Sequence, residues 1–534
     1  MTRGLRLACI VALALGLLQA CTRPPSRNDN DVRVAVSTDP ASLSLVGNTD
    51  LTSSQIASVI SDGLVAYDEK LRYVPMIARS WDLAPDGTSV TFHLRGGALW
   101  HDGERVTSRD VAFTVAKVKD PKSQAQSWAP SFTDVRSVET PDNLTVVVHY
   151  AHPSADALEP WRVPLIPEHV AAKDANFLDG EFARHPIGCG PFRFVSHDRG
   201  QSVVLQAFDR YWGGRPPIDH LIFKIVSAER TAYEALLMGE LDVNGVTPDV
   251  WRESLSSKVA SRLARFAYYR LNAWRVDWNQ NEATPFFKDQ RVRRALVMAL
   301  DRERFAATAA GGLARPGVSS YPPESSWSDP SVKALPYDLK ETARLLDEAG
   351  WVQPAGRHIR EKDGVPFGFT LLLYSGSQEI ADRFAAWMQQ SWADVGIDVK
   401  VEKLGWETFK QRRRSHDFQA AMGSLSFDAT PDMFPLFHSS ACRDGYNYGC
   451  FSDPEIDRLL EAGRVTVDPA ARRVVYDQLQ KRLDVMQPMG FLFQIAQPVL
   501  HDRDLEGIVP SSVGLFQFTP GPRAWHWSSA RKRP

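Results

Sequence analysis

The first twenty-one residues constrain this chain most, because they decide the compartment in which the rest of it folds. Arg3 and Arg6 precede an apolar run at 7–18, and small residues follow that run. This order is typical of an export signal, and the run is shorter than the roughly 18 apolar residues that a membrane span needs. The sequence therefore predicts an exported protein from which residues 1–20 are removed as a signal peptide.

The end of this signal, Leu18-Gln19-Ala20-Cys21, resembles the bacterial lipobox. In a lipobox the cysteine becomes the lipidated first residue of the mature protein. The resemblance therefore implies acyl chains on Cys21 and a membrane anchor in the periplasm or cell envelope. An ordinary cleaved signal beside a chance cysteine is the alternative. Residues 21–30 show no apolar periodicity and are predicted to be a flexible tether.

The mature chain is large and slightly acidic. The sequence has 62 Lys and Arg against 64 Asp and Glu, and the loss of Arg3 and Arg6 leaves 60 against 64, a net charge of −4. Because phosphate binding needs a clustered basic excess, no nucleic acid is expected as a partner. A body of this size is too large for one core and is expected to divide into two or three domains.

The cysteines agree with an oxidising compartment. Cys442 and Cys450 flank a turn-rich segment and are predicted to form a disulfide. Cys189 lies between two glycines and is expected to be a small buried residue in a tight turn rather than a reactive thiol. His149 and His152 have no third ligand nearby in sequence, so neither a metal site nor a cofactor is predicted.

Local patterns predict mixed α/β structure. Apolar and polar residues alternate at 32–36 and 89–94, which predicts two strands. Thr107 is expected to cap a helix, with Asp110 three residues later favouring the positive helix end.

The second half of the chain shows longer helical patterns. A helix is predicted over 289–305, with one face formed by Val292, Ala295, Leu296 and Ala299. Another is predicted over 339–349, ending at Gly350. Short apolar runs at 367–373 and 397–401 follow, which suggests α/β units.

A set of segments occurs in a fixed order along the chain: 62–67, 75–81, 94–104, 107–111, 188–192, 211–217, 287–296, 337–351 and 453–457. Examples are Leu-Arg-Gly-Gly-Ala-Leu-Trp-His-Asp-Gly-Glu at 94–104 and Tyr-Trp-Gly-Gly-Arg-Pro-Pro at 211–217. Together they are similar to the motifs of the extracellular solute-binding proteins, family 5, which feed ABC importers. Cys189 departs from the pattern, because the family has threonine there.

The resemblance implies an α/β protein with a two-lobed, class II periplasmic binding protein-like fold, an extra third domain and a hinge. Lobe I would comprise residues 31–54, 186–270 and 498–534. The added domain would be 55–185 and lobe II 271–497. Hinge crossings are expected near 269–272 and 496–498.

The implied function is that of a substrate-binding lipoprotein of an ABC importer. A peptide or a related small solute would be captured by closure of the lobes and delivered to permease subunits served by a cytoplasmic ATPase. Closure needs a ligand that binds the closed state better than the open state. The protein is expected to be a monomer and not an enzyme.

The family's acid for the peptide amine corresponds to a position in segment 423–434. Aligned without gaps on the flanking glycine and proline, Ser424 replaces a tryptophan, Phe427 stands in place of the acid, and Thr430 replaces a second acid. Asp428 comes one residue late, and in a strand a shift of one residue turns a side chain to the other face. Either a local bulge directs Asp428 into the cleft, or the amine subsite is missing.

Two further ligand contacts are implied upstream. Trp406 resembles a tryptophan that lines the cleft in the family, and Arg413 falls where some oligopeptide binders direct an arginine toward the ligand carboxylate. The alternative for residues 412–414 is a solvated helix end.

Other functions remain open on the sequence alone. A sensor or assembly lipoprotein could use the same scaffold without transport. A secreted hydrolase is disfavoured, because the sequence has no Gly-x-Ser-x-Gly or His-Glu-x-x-His motif and no phosphate loop. The family resemblance does not choose among peptides, opines, nickel chelates and oligosaccharides as ligands.

Overall fold

The structure is a computed structural model that describes residues 30–48, 50–123, 128–174, 176–177, 180–256, 262–281, 284–308, 311–318, 320–376 and 379–529. The predicted signal peptide, Cys21 and nearly all of the predicted tether lie outside the described residues. Within those ranges, no helix is both long and apolar enough to cross a membrane.

The strands of the first half of the chain are β1 (Asp31–Val36), β2 (Val65–Tyr67), β3 (Tyr73–Pro75), β4 (Ala78–Leu83), β5 (Ser89–Leu94), β6 (Val135–Asp142), β7 (Thr145–Tyr150), β8 (Phe192–Asp198), β9 (Ser202–Ala207), β10 (His220–Ile225), β11 (Val243–Gly245) and β12 (Leu263–Tyr269). Those of the second half are β13 (Asn272–Trp278), β14 (Ala314–Pro316), β15 (Glu361–Lys362), β16 (Val365–Pro366), β17 (Gly368–Tyr374), β18 (Asp398–Leu404), β19 (Ala420–Ser426), β20 (Met489–Asp502), β21 (Leu505–Glu506) and β22 (His526–Trp527).

The α-helices are Leu51–Ile60, Ser108–Lys119, Glu168–Ala171, Glu181–Arg184, Glu229–Met238, Pro248–Ser256, Gln290–Met298, Arg302–Thr308, Leu339–Glu348, Glu379–Ala393, Trp406–Arg414, Phe434–Phe437, Ala441–Asp444, Pro454–Val465 and Pro469–Met486.

One twelve-stranded sheet runs through both predicted lobes, in the order β18-β17-β19-β13-β20-β11-β1-β10-β9-β8, with β12 and β14 also paired to β20. β20 belongs to both halves, since Met489–Phe493 pairs with β13 and Ala496–Asp502 pairs with β12. The chain crosses a second time between β12 and β13, at Arg270 and Leu271. These two segments are where the sequence predicts the hinge crossings. The boundaries of the lobes stay a prediction.

The segment predicted to form the added domain contains its own antiparallel sheet, in the order β4-β5-β7-β6. The helix Ser108–Lys119 contacts the β6 and β7 strands of this sheet. The predicted cap is present, since the Thr107 N–H donates to the Asp110 carboxylate at 2.8 Å. Trp100 and Trp161 are fully buried in the core that this domain shares with lobe I. The added domain and lobe I therefore form one packed body.

Most of the predicted elements are confirmed. The alternating segments are β1 and β5, and the two apolar runs of the second half are the parallel neighbours β17 and β18. The helix Leu339–Glu348 ends before Gly350, whose φ of +86° is the left-handed conformation that a helix stop favours.

The prediction of a single helix over 289–305 is wrong. The structure has two helices, Gln290–Met298 and Arg302–Thr308. The Asp301 carboxylate accepts the N–H three residues later at 3.0 Å, which starts a second helix. The buried Arg302 guanidinium also donates to backbone carbonyls at 2.8 and 2.9 Å, which holds this turn inside the lobe. The predicted apolar face itself is buried in the lobe II core.

Candidate functional site

A cavity of about 620 Å³ lies where both lobes and the added domain meet. The β12–β13 turn forms one wall, and the segment after β19 forms another. Its lining includes Leu45, Asn48, Asp62, Tyr67, Trp128, Glu159, Arg162, Tyr211, Arg270, Phe427, Asp428, Thr430, Phe516 and Arg523. The cavity is therefore the space that would change in shape if the lobes moved relative to each other.

Asp428 and Phe427 both line this cavity, although they are adjacent in sequence. β19 ends at Ser426, so the strict alternation of faces has stopped before these two residues. The Phe427 N–H donates to the Leu271 carbonyl at 2.7 Å, and its ring is buried. Asp428 is exposed, with no hydrogen bond or ion pair to a described residue. A carboxylate one residue later than the family pattern thus still reaches the cavity.

The added domain places a partly buried charged cluster on the opposite wall. Glu159 pairs with Arg162 at 3.1 Å and accepts hydrogen bonds from Tyr67 and, at 2.7 Å, from Tyr73. Arg162 also lies over the Tyr67 ring at 4.2 Å. Burial raises the pKa of Glu159 above its ordinary value, Arg162 opposes that shift, and Asp428 adds to it. The two walls are therefore close enough to interact electrostatically.

A second polar chain reaches the cavity from lobe I. Arg523 donates to the Tyr211 hydroxyl at 3.1 Å, and that hydroxyl donates to Asp62 Oδ2 at 2.8 Å. Trp212 Nε1 donates to the same oxygen at 2.9 Å. Arg270 lines the cavity at the hinge crossing and has no hydrogen bond or ion pair from its guanidinium to a described residue.

The charged side chains of the lining are balanced. Three are acidic, namely Asp62, Glu159 and Asp428. Three are basic, namely Arg162, Arg270 and Arg523. Such a surface suits a ligand that carries both charges better than it suits a polyanion or a polycation.

The environment of Asp62 predicts a pH dependence of stability. Burial raises the pKa of its carboxyl to about 6, against an ordinary value of 3.8, and the hydrogen bonds from Trp212 and Tyr211 only partly oppose this. Because the folded pKa is the higher one, the stabilisation from this group is complete below about pH 4 and is lost as pH rises through 6. We expect the free energy of unfolding of the native chain to fall relative to Asp62→Asn by roughly 2–3 kcal/mol between pH 4 and 7. Urea unfolding of both proteins at each pH measures this difference. Parallel profiles would exclude a raised pKa at Asp62.

The other three predicted contact residues do not line the cavity. Ser424 is exposed on β19, where it pairs with Trp274. Trp406 is exposed and packs on Tyr374, with ring centroids 5.1 Å apart. Arg413 is buried and pairs with Asp277 at 2.5 Å, an ion pair that it would have to leave to bind a ligand. A ligand role for these three residues stays a prediction.

The predicted disulfide between Cys442 and Cys450 is present, and Cys189 is buried as a free thiol. Burial raises the pKa of the Cys189 thiol far above its ordinary value, as expected for an unreactive residue. His149 lies 3.4 Å from Glu139 on an exposed strand face.

The sequence interpretation missed five of the six charged lining residues: Asp62, Glu159, Arg162, Arg270 and Arg523. A signal existed for Glu159 and Arg162, which interrupt an otherwise apolar segment at 157–166. Charged residues in such a segment are rarely buried without a partner or a function. Arg270 and Arg523 lie more than 250 residues apart, and nothing in the local pattern links them.

Two lobes that share a crossing strand and enclose a polar cavity define a two-lobed solute-binding protein. The family model of the bacterial extracellular solute-binding proteins, family 5 (middle region), matches residues 72–447. The chain belongs to this family.

Individual relatives extend the match to nearly the whole chain. The oligopeptide-binding protein AppA of Bacillus subtilis is 28% identical over 95% of this chain and 96% of its own length. Protein XP55 of Streptomyces lividans is 31% identical over 91% of this chain and 88% of its own. The structure of Bacillus subtilis AppA in complex with a nonapeptide superposes with a TM-score of 0.75 and 25% identity, covering 93% of this chain and 99% of AppA.

Proposed function

We propose that this protein is the peptide-capturing component of an ABC importer, held at the membrane by lipid on Cys21. The observation that carries the proposal is the interlobe cavity with three acids and three arginines contributed by both lobes and the added domain. A free peptide presents an ammonium group and a carboxylate, so it is complementary to such a lining. The bound peptide would be passed unchanged to permease subunits.

Within this cavity, Asp428 and Arg270 are assigned as the groups that meet the ligand charges. Both line the cavity, where they follow the Leu271 and Phe427 contact on neighbouring segments, and neither side chain has a hydrogen-bonded partner among the described residues. The remaining charged lining residues are held by one another, directly or through Tyr211. A ligand can therefore bind Asp428 and Arg270 without breaking an existing ion pair.

Closure is supported by a contact between lobe II and the added domain. The Arg472 guanidinium, nearly buried, donates to Asp156 Oδ1 at 2.9 Å and to the Ala155 carbonyl at 3.0 Å. The Ala155 N–H in turn donates to the Arg464 carbonyl at 3.2 Å. These bonds join lobe II to the added domain, which supports a clamp that closes by bringing these two parts together. Lobe I at 31–54, 186–270 and 498–534 would move together with the added domain at 55–185 as one body of that clamp, and lobe II at 271–497 as the other.

The proposal is tested by identifying the bound molecule. We expect native mass spectrometry of the purified protein to show a co-purified peptide, and unfolding followed by refolding to remove it. Adding back that peptide should stabilise the protein by about 2.7 kcal/mol at a free concentration a hundred times Kd. Thermal unfolding measures this. A co-purified solute that is not a peptide, with no stabilisation by a tri- to penta-alanine series, would contradict peptide capture.

A further inference from the structure

A histidine lies against the Cys442–Cys450 disulfide, far along the chain from both cysteines. His416 Nε2 is 3.8 Å from Cys442 Sγ and 3.7 Å from Cys450 Sγ. One potential ligand atom from each of the three residues lies within 4.8 Å of the other two. None of the three lines the interlobe cavity. This cluster, His416 with Cys442 and Cys450, is therefore separate from the proposed peptide site.

The imidazole of His416 has the tautomer of a metal-binding histidine. Its Nδ1 lies 2.9 Å from the Tyr448 carbonyl oxygen, so the proton is assigned to Nδ1 and Nε2 keeps a free lone pair. A carbonyl that accepts from the second ring nitrogen is the usual outer contact of a histidine ligand. The Arg413 guanidinium lies 4.1 Å from the centroid of the Tyr448 ring and supports that segment.

The backbone holds two of these three residues in an unfavourable conformation. His416 has φ of 57° and Cys450 has φ of 49°, and they are two of the five non-glycine residues with positive φ in the described ranges. Asn279 Nδ2 donates to the His416 carbonyl at 2.9 Å, which helps to hold this turn. Left-handed conformations outside glycine are uncommon and concentrate at functional sites.

The distances from His416 Nε2 to the two sulfurs are close to those around a tetrahedral ion, although Cys450 Sγ lies nearer to Nδ1, at 3.5 Å. With metal–sulfur bonds near 2.3 Å and metal–nitrogen bonds near 2.0 Å, a tetrahedral site has nitrogen–sulfur separations of about 3.6 Å. The observed separations are 3.7 and 3.8 Å. The two sulfurs must move apart, to about 3.8 Å, and Cys450 Sγ must leave its contact with Nδ1 so that the Nε2 lone pair faces the ion. All three residues are partly exposed, so a reductant and a cation can reach them.

We propose that reduction of the Cys442–Cys450 disulfide creates a site of two thiolates and one imidazole for a thiophilic d¹⁰ cation, Zn²⁺ or Cu⁺. A dithiol supplies the two electrons. One of its thiolates attacks a disulfide sulfur, the sulfur–sulfur bond breaks, and the second thiol releases the reductant as its own disulfide. The two cysteine sulfurs gain the electrons and two protons. Each loses its proton to solvent when it binds the cation, because thiolate and imidazole ligands favour such ions.

The test uses the full mature chain, reduced with dithiothreitol, freed of it without oxygen and titrated with Zn²⁺ or Cu⁺ against a chromophoric chelator. We expect one cation per reduced chain and none per oxidised chain. His416→Gln should weaken binding at least about tenfold. His438→Gln is the matched control and should leave the affinity unchanged, since His438 is bonded to Ser440 and Glu461 and lies outside the cluster.

Each step of the proposal can fail separately from peptide capture. Circular dichroism and thermal unfolding of the reduced chain come first, and loss of the fold on reduction would overturn the site. A folded reduced chain that binds neither cation would overturn it too, as would equal binding by the oxidised chain or by His416→Gln. Peptide affinity, measured on the oxidised chain, reports on the importer function alone.

Discussion

Replacing Asp428 by alanine should weaken binding of a free-amine peptide by about 2 kcal/mol, roughly thirtyfold in Kd. Asp428 is the one acid of the cavity lining whose carboxylate has no hydrogen-bonded partner among the described residues. Closure around a peptide would shield a contact between this carboxylate and the ammonium group from water, which strengthens it.

The ligand and the protein can be varied together to isolate this contact. Isothermal titration of wild type and Asp428→Ala with a peptide and with its N-acetylated form gives a double-mutant cycle. We expect acetylation to weaken binding to wild type and to have little further effect on Asp428→Ala. Asp432→Asn is the matched control, because Asp432 pairs with Arg464 at 3.1 Å and does not line the cavity. Additive effects of acetylation and Asp428→Ala would place the amine elsewhere.

Periodicity predicted the elements of the fold well where a segment has one dominant face. β1, β5, β17 and the helix Leu339–Glu348 alternate or repeat without interruption, so local pattern and burial agree. The segment 289–305 has an equally clear face but contains Asp301, whose carboxylate caps a new helix. Capping by Asp301 starts a new helix, so it competes with continuation of the first one. Which of the two forms depends on the carbonyl groups that the Arg302 guanidinium can reach. Those partners are distant in sequence.

The cavity lining was harder to predict from the sequence, because lobe I, the added domain and lobe II all contribute residues to it. From the sequence, the one-residue shift left open whether the Asp428 side chain faces the cleft. In the structure β19 ends at Ser426, and both Phe427 and Asp428 line the cavity. Arg413 shows the opposite case. A cationic run suggested a ligand contact or a solvated helix end, but the side chain is buried against Asp277. A one-dimensional pattern cannot distinguish a charge directed at a ligand from one paired inside the protein.

Replacing Arg293 by methionine should reduce the free energy of unfolding by about 4 kcal/mol. Arg293 is 1% exposed. Its guanidinium donates to the carbonyls of Phe287 and Lys288 at 2.7 and 2.8 Å. Its Nε donates to those of Met486 and Gln487 at 3.2 and 2.9 Å. Burial lowers its pKa to about 10, so it stays charged at neutral pH. Carbonyls at the end of the helix Pro469–Met486 have no partner within that helix and carry its negative dipole end.

The size of this effect follows from how many carbonyls lose their donor. Methionine fills a similar volume but donates nothing, so four buried carbonyls would be left without the guanidinium. Arg293→Lys keeps the charge yet cannot span both pairs of carbonyls, and we expect an intermediate loss.

Arg294→Met is the matched control: Arg294 is half-buried and donates to the Asp484 carbonyl at 2.8 Å, so its loss should be below about 1 kcal/mol. Urea unfolding followed by tryptophan fluorescence compares the four proteins. Equal losses for Arg293→Met and Arg294→Met would mean that helix-end carbonyls find water once the guanidinium is gone, and that Arg293 does not hold the two helices together.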